Sequence, residues 1–240
     1  MRTPVSPARL RAVSFDAAGT LFHPARPVGD LYAMVAARHG VDVDGAVLHA
    51  RFREAFGGAP PLAFPGCAPG ELRAREKTWW RDVVRAVFAG MRFGDFDAFF
   101  DDLFAFFASP AAWRVDPDAH ALLAALRART LTILVVSNFD TRVRGVLAAL
   151  GLTPLVDRVT ISSEAGAAKP DPAIFARALA DLAPASVVHV GDTVREDLRG
   201  ARAAGLRVLL VGDAALASEA SDAVVVARLG DVAAHLADAR

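Results

Sequence analysis

The chain has 240 residues, 54% of them hydrophobic, and its 27 basic and 27 acidic side chains cancel to a formal charge of zero. That length suits one large domain or two small ones with a sizeable core. Balanced charge argues against a nucleic-acid footprint or a solvating acidic tail, no apolar run reaches the roughly 18 residues of a membrane span, and a single cysteine, Cys67, excludes an intrachain disulfide or a cysteine metal cluster.

In chain order, residues 1–11 carry arginines but no apolar stretch long enough for a signal peptide, so a cytoplasmic protein is expected. Residues 12–15 form an apolar run that ends in Asp16, with Gly19 close behind. This predicts a buried strand with a carboxylate at its carboxyl end, where open α/β sheets bind ligands. From Leu21 to about Ala112 strand-like runs vanish. Apolar spacing there predicts helices over 30–39, 43–56, 71–88 and 93–107, divided by a Pro/Gly-rich loop over 57–70. Phe96, Phe99, Phe100, Phe104, Phe106 and Phe107 read as the packed face of a helix, with the lining of an apolar pocket as the alternative. Trp79 and Trp80 are adjacent and so face different sides of their helix, leaving one free to face a cleft.

Beyond Ala112, apolar runs at 131–136, 159–161, 187–190, 208–211 and 224–226 alternate with helical stretches at 118–129, 141–150, 172–182 and 195–204. Gly151 and Gly205 stand where helices end. This alternation predicts an α/β fold, a doubly wound, mostly parallel, Rossmann-like sheet. Its core would comprise residues 1–22 and 113–240, interrupted by an all-helical insert at 23–112.

Four segments place small polar or charged residues at strand ends or a helix start. They are Asp16-Ala17-Ala18-Gly19-Thr20, Val136-Ser137-Asn138, Lys169-Pro170-Asp171-Pro172, and Gly191-Asp192-Thr193-Val194-Arg195-Glu196-Asp197. In order and context they resemble the four motifs of the haloacid dehalogenase-like (HAD) hydrolase superfamily, whose first motif is usually written D-x-D-G-T. The resemblance spans nearly the whole chain. It implies that Asp16 attacks phosphorus and forms an aspartyl-phosphate. Thr20 and Ser137 would offer hydroxyls to phosphoryl oxygens, and Asn138 would orient the nucleophile or bind substrate. Lys169, one of only two lysines with Lys77, would neutralise the nucleophile and the transferring group. Asp192 and Asp197 would help hold Mg²⁺, a hard cation that takes oxygen ligands, together with Asp16 and the main-chain carbonyl of Ala18. For Asp197 a helix N-terminal acid is the alternative. The insert would be a helical cap that closes over the site and favours a small phosphorylated metabolite.

One position departs from the pattern. The second aspartate of the first motif is Ala18. In the family that aspartate protonates the leaving group and then activates water, and such general acid–base catalysis is worth roughly 10²–10⁴ in rate. The expected function is therefore a Mg²⁺-dependent phosphatase whose leaving group needs little protonation, or which recruits His23 or a cap residue. One alternative is a non-catalytic phosphometabolite-binding or regulatory protein. A further one is a C–P hydrolase of the phosphonoacetaldehyde hydrolase type, which also carries alanine here and needs a cap lysine, with Lys77 the sole candidate. Against a haloacid dehalogenase stand Asp192 and Asp197. His189 reads as a core residue inside an apolar strand, and Glu196 receives no role.

Overall fold

The computed structural model describes residues 9–236. The chain opens with β1 (Ala12–Phe15) and a short β2 (Phe22–Pro24), then four helices, α1 (Val28–Arg38), α2 (Gly45–Gly58), α3 (Pro69–Val87) and α4 (Phe96–Phe106). It returns through β3 (Trp113–Val115). Next come α5 (Ala119–Ala128), β4 (Thr132–Ser137), α6 (Val143–Ala149), β5 (Arg158–Ile161), α7 (Ser162–Ala165), α8 (Pro172–Leu179) and β6 (Val187–Gly191). The last elements are α9 (Gly200–Ala203), β7 (Arg207–Val211), α10 (Ala214–Glu219), β8 (Val224–Val226) and α11 (Val232–His235). Among the described residues, no helix is long and apolar enough to cross a membrane.

Six strands form one parallel sheet in the order β5-β4-β1-β6-β7-β8. This is the α/β architecture that the alternating apolar runs predict. Strand residues alternate between faces, and here both faces are covered. Val13, Phe15, Ile133, Val135 and Val190 pack with Leu122, Leu126 and Val146 of α5 and α6. Ala12, Leu134, Val136 and Val187 pack with Ile174 and Phe175 of α8 and with Ala201 of α9. Double coverage is why these strands read as unbroken apolar runs rather than alternating ones. Phe15 is completely buried in this arrangement, and its truncation to alanine would cost about 3–5 kcal/mol.

The sheet fixes where a site can form. The chain leaves β1, builds β4 and β5 on one side of it, and later crosses to β6 on the other side. Such a reversal of winding opens a crevice outside the carboxyl ends of the central strands. Asp16 follows β1, Ser137 ends β4, and Asp192 follows β6.

The four helices between β2 and β3 hold an apolar cluster of their own, centred on Val35, Leu48, Val83, Val87, Phe99 and Leu103. Asp44 and Asp95 cap α2 and α4 by accepting from the first free backbone N–H groups. One feature departs from the sequence pattern. The segment expected to lack strands begins with β2, which pairs antiparallel with β3 in the register Phe22↔Val115, His23↔Arg114, Pro24↔Trp113. Three residues are too few to show a period, so this ribbon joining insert and core left no trace in the apolar pattern.

The helices dock on the sheet domain through polar groups. Glu76 of α3, almost fully buried, accepts from Thr141 N at 3.0 Å and from Thr141 Oγ1 at 2.5 Å. Trp80 Nε1 donates to Asp140 Oδ2 at 2.6 Å. Arg142 closes the set, donating Nε and Nη2 to Asp140 and Nη1 to Phe104 O of α4.

Candidate active site

Asp16 is the first residue after β1, and its N–H donates to Val190 O at 2.8 Å. The sheet ladder therefore sets its position. Its carboxylate is nearly buried, and Oδ1 accepts from Lys169 Nζ at 2.7 Å. Lys169 also donates to Asp197 Oδ1 at 2.6 Å. Burial opposes the lysine's charge, but the two carboxylates outweigh it and raise its pKa above the ordinary value.

Asn138 holds this lysine from the main chain. Its Oδ1 accepts from Lys169 N at 2.7 Å and its Nδ2 donates to Lys169 O at 2.9 Å. Sequence reasoning expects Asn138 to orient the nucleophile or touch substrate. In the structure both ends of its amide are committed to the Lys169 peptide, so it reaches Asp16 only through the lysine. Ser137 is buried, lines the cavity beside Asp16 and makes no side-chain hydrogen bond among the described residues. Its hydroxyl is free for a ligand. Thr20 differs from expectation as well. Its buried hydroxyl turns to Asp192 Oδ1 at 3.4 Å rather than into the cavity.

Asp16, Asp192 and Asp197 each bring one carboxylate oxygen within 4.8 Å of the others. The approach depends on two glycines. Gly19 has φ +108°, and a Cβ there would lie 2.4 Å from Asp192 Oδ2. A Cβ on Gly191 would lie 2.2 Å from Asp197 Cγ. The three acids are otherwise unlike. Asp197, in a π-helical turn over Val194–Arg199, is saturated. Besides Lys169, its Oδ1 accepts from His189 Nε2 at 3.0 Å, and its Oδ2 accepts from Asp192 N, Thr193 N and Thr193 Oγ1. Burial works to raise its pKa, but Lys169 and His189 hold it below the ordinary carboxylate range. Asp192 has the opposite environment. Burial, then the charges of Asp16 and Asp197, push its pKa up to about 7. Oδ2 of Asp16 and Oδ2 of Asp192 accept no hydrogen bond among the described residues.

Three carboxylates against one ammonium leave a local excess of negative charge, with free hard oxygens on Asp16 and Asp192. That donor set fits Mg²⁺. Asp197 fits it less well, because five donors already occupy its oxygens, close to the capacity of a carboxylate.

His189, which the sequence reads as a core residue, is one, and it also supports the site. It is completely buried on β6, with Nε2 on Asp197 and Nδ1 2.8 Å from Ser14 Oγ. A carboxylate only accepts, so Nε2 carries the proton. Ser14 and His189 are register partners on β1 and β6. Two polar residues inside two apolar strands were the available signal, but only the strand order brings them together. His23 lies elsewhere. Its Nε2 meets Asp116 Oδ2 at 3.3 Å in a shallow cleft behind Gly19, outside the cavity that holds Asp16. Lys77 also lies outside, half-buried and paired with Asp101 at 2.8 Å.

The cavity has a volume of about 800 Å³. Asp16, Ala18, Ser137 and Lys169 form its floor, and the helices between β2 and β3 form its opposite wall. Phe100, Phe104 and Phe107 line it, while Phe96, Phe99 and Phe106 do not. The aromatic stretch is thus divided between core and cavity rather than wholly core. Both Trp79 and Trp80 reach the lining, their rings crossing edge to face at 4.9 Å.

The family model of haloacid dehalogenase-like hydrolases matches residues 10–205. The human haloacid dehalogenase-like hydrolase domain-containing protein 3 is 37% identical over 236 residues, which are 95% of this chain and 92% of that protein. A phosphoserine phosphatase of Thermus thermophilus is 37% identical over 131 residues, covering 53% of this chain and 52% of that one. Among solved structures, a HAD phosphatase from Thermococcus onnurineus superposes with a TM-score of 0.65 at 21% identity, over 95% of this chain and 98% of that one.

Proposed function

The chain belongs to the haloacid dehalogenase-like hydrolases, and on that premise we propose that it is a Mg²⁺-dependent phosphatase of a small phosphorylated metabolite, working through an aspartyl-phosphate on Asp16. The observation that carries this reading is the placement of Asp16 between the Lys169 ammonium and the Asp192 carboxylate, on the floor of the cavity. Residues 23–112 act as its cap.

In this mechanism one carboxylate oxygen of Asp16 attacks phosphorus and the other is left to the cation. Lys169 offsets the charge that gathers on the phosphoryl oxygens, and the Ser137 hydroxyl donates to one of them. Asn138 and Asp197 keep the lysine in place, and His189 and Thr193 keep Asp197 in place. Asp16, Asp192 and the main-chain carbonyl of Ala18 would hold Mg²⁺, which would supply positive charge to the phosphoryl group. Thr20 steadies Asp192 from behind.

Ala18 supplies no proton, and His23 is turned to Asp116 outside the cavity. This favours a leaving group that departs as an anion. It also favours a second reading, a phosphometabolite-binding protein that does not turn over. The C–P hydrolase reading loses its basis, because Lys77 stands outside the cavity on Asp101.

The test is hydrolysis of 4-nitrophenyl phosphate with and without Mg²⁺. The expected result is turnover that needs the ion and is abolished in Asp16→Asn. Unchanged activity in that variant removes Asp16 as nucleophile. Saturable phosphate-ester binding with no turnover over hours selects the binding protein. Ala18→Asp should speed esters of alcohols more than activated esters.

A further inference from the structure

The wall of the cavity that faces Asp16 is chemically uniform. Every cap side chain that lines it is apolar or aromatic except Tyr32; the cap gives it no carboxylate, imidazole, ammonium or guanidinium. All three tryptophans of the chain, Trp79, Trp80 and Trp113, reach the cavity. Their indole N–H groups are already spent, on Pro60 O, Asp140 Oδ2 and Phe107 O respectively. They offer a ligand only ring surface. Phe56 is 40% exposed, yet it stacks on Trp80 at 5.9 Å and meets Trp79 edge-on at 5.9 Å. It lies where a ligand ring would enter between helices.

Tyr32 is the only tyrosine in the chain. It is 2% exposed, lines the cavity and makes no side-chain hydrogen bond among the described residues. Arg142 also lines the cavity from the core, but Asp140 neutralises it and its guanidinium lies over the Phe104 ring, 3.7 Å from the centroid. Asp171 is occupied in capping α8. Of the charges on the lining, Arg195 and Glu196 remain, side by side on the core rim.

We propose that the substrate is a small aryl phosphate, whose aromatic leaving group lies among Phe56, Trp79, Trp80, Phe104 and Phe107, with the Tyr32 hydroxyl as its polar contact. The inference rests on the phosphatase reading above and narrows it. Two independent observations converge on it. The aromatic wall binds a flat apolar ring, and pairs of aromatic rings in edge or offset contact are favourable beyond their buried area. The absent acid at Ala18 demands a leaving group that departs unprotonated. A phenol has a pKa of about 10, whereas a simple alcohol lies near water at about 15.7, so a phenolate departs far more readily than an alkoxide. An amino-acid phosphate such as phosphoserine brings an ammonium and a carboxylate to a cap with no opposite charge, an unfavourable burial.

The step balances without a further reactant. An Asp16 oxygen forms a bond to phosphorus, the P–O(aryl) bond breaks, and its electron pair leaves on the phenolate, which takes a proton from solvent. Water then cleaves the aspartyl-phosphate, restoring the Asp16 carboxylate and releasing dihydrogen phosphate with both of the water's protons.

The experiment compares 1-naphthyl phosphate, acetyl phosphate, glycerol 3-phosphate and O-phosphoserine with the whole chain and Mg²⁺. Acetyl phosphate has the better leaving group but no ring. The expected result is a KM for 1-naphthyl phosphate at least about tenfold below that for acetyl phosphate, a preference that only ring contacts explain. Glycerol 3-phosphate and phosphoserine should fall about 100-fold or more behind in kcat, within the range that a missing acid costs. Phe56→Ala, at a partly exposed position, should raise the KM for 1-naphthyl phosphate about fivefold. Saturable quenching of tryptophan fluorescence by 4-nitrophenylphosphonate, which is not hydrolysed, reads ring binding without turnover. Comparable KM values for acetyl and naphthyl phosphate, or a preference for phosphoserine, overturn the aromatic class and leave the phosphatase intact. No Mg²⁺-dependent turnover of any ester removes the phosphatase reading and the substrate class with it.

Discussion

Replacing Asp197 by asparagine tests the wiring of the site most directly. The carboxylate is 1% exposed and collects five donors. One is the ammonium of Lys169, itself 4% exposed and, among the described residues, otherwise paired only with Asp16. Asparagine removes the charge and sets an NH₂ against donors on one side, whichever way its amide lies. Breaking a buried pair by removing one partner costs about 3–5 kcal/mol, because the other charge is left undercompensated. For a chain of this size, 1 kcal/mol lowers Tm by about 2–4 °C. The variant should therefore melt about 6–20 °C below the parent by scanning calorimetry. In a Lys169→Met background no ammonium is stranded. The same substitution should then cost only the lost hydrogen bonds, about 1–3 kcal/mol. Equal losses in both backgrounds, or a loss under about 2 °C in the parent, would refute the assignment of Asp197 as the lysine's counterion.

Three further outcomes follow from the same geometry. Asp192 has its pKa raised to about 7 from an ordinary 3.8, so the folded chain binds this proton more tightly than the unfolded one. Its contribution to stability is full below pH about 4 and is lost as pH rises through about 7. Protein treated with EDTA should melt lower at pH 8 than at pH 5.5, a difference absent in Asp192→Asn. Added Mg²⁺ should raise Tm more at pH 8, and equal gains at both pH values would speak against Asp192 as a ligand. Gly19→Ala places a Cβ 2.4 Å from Asp192 Oδ2 at a φ of +108°. It should weaken Mg²⁺ binding at least tenfold, on the order of 1.4 kcal/mol, and calorimetric titration that finds wild-type affinity would show that Asp192 can move aside. Glu76→Ala strands the Thr141 N–H and hydroxyl under α3, at a cost of about 1–3 kcal/mol. Faster hydrogen exchange at Thr141 and Arg142 is the sign of a loosened cap, and unchanged exchange there would deny Glu76 that role.

Much of this was legible in the residues. The strands β1, β4, β6, β7 and β8 stand where short apolar runs predict them, within a residue or so at each end; for β1, β4 and β6 this is because a doubly covered parallel strand has no solvent face to interrupt the run. The helices α1 to α4 were legible from apolar spacing in the same way. Asp16, Ser137, Lys169 and Asp192 stand at strand ends or a helix start, and their selection came from the resemblance of their four segments to the motifs of HAD hydrolases. Other features were not legible, for identifiable reasons. The β2–β3 ribbon is too short for a period. The Val194–Arg199 segment was expected within an ordinary helix and is a π-helical turn, whose extra residue per turn accompanies the inward placement of Asp197. Thr20 and Asn138 have side chains suited to phosphate, but their neighbours claim them first.

What the sequence determined by itself was the fold class, the order of elements and the inventory of reactive groups, including the alanine at position 18. These rest on local periodicity and on residue type, which need no knowledge of neighbours in space. What only the tertiary structure decided was partnership. His189 meets Ser14 because β6 lies beside β1, and Asp197 is spent on Lys169, His189 and three donors of Asp192 and Thr193 because Gly191 lets it close in. Phe52 and Phe56 of α2, Trp79 and Trp80 of α3, and Phe100 and Phe104 of α4 face one cavity because those helices converge over the carboxyl end of β1. Residues far apart in the chain acquire their roles from distance and burial, and no one-dimensional pattern records either.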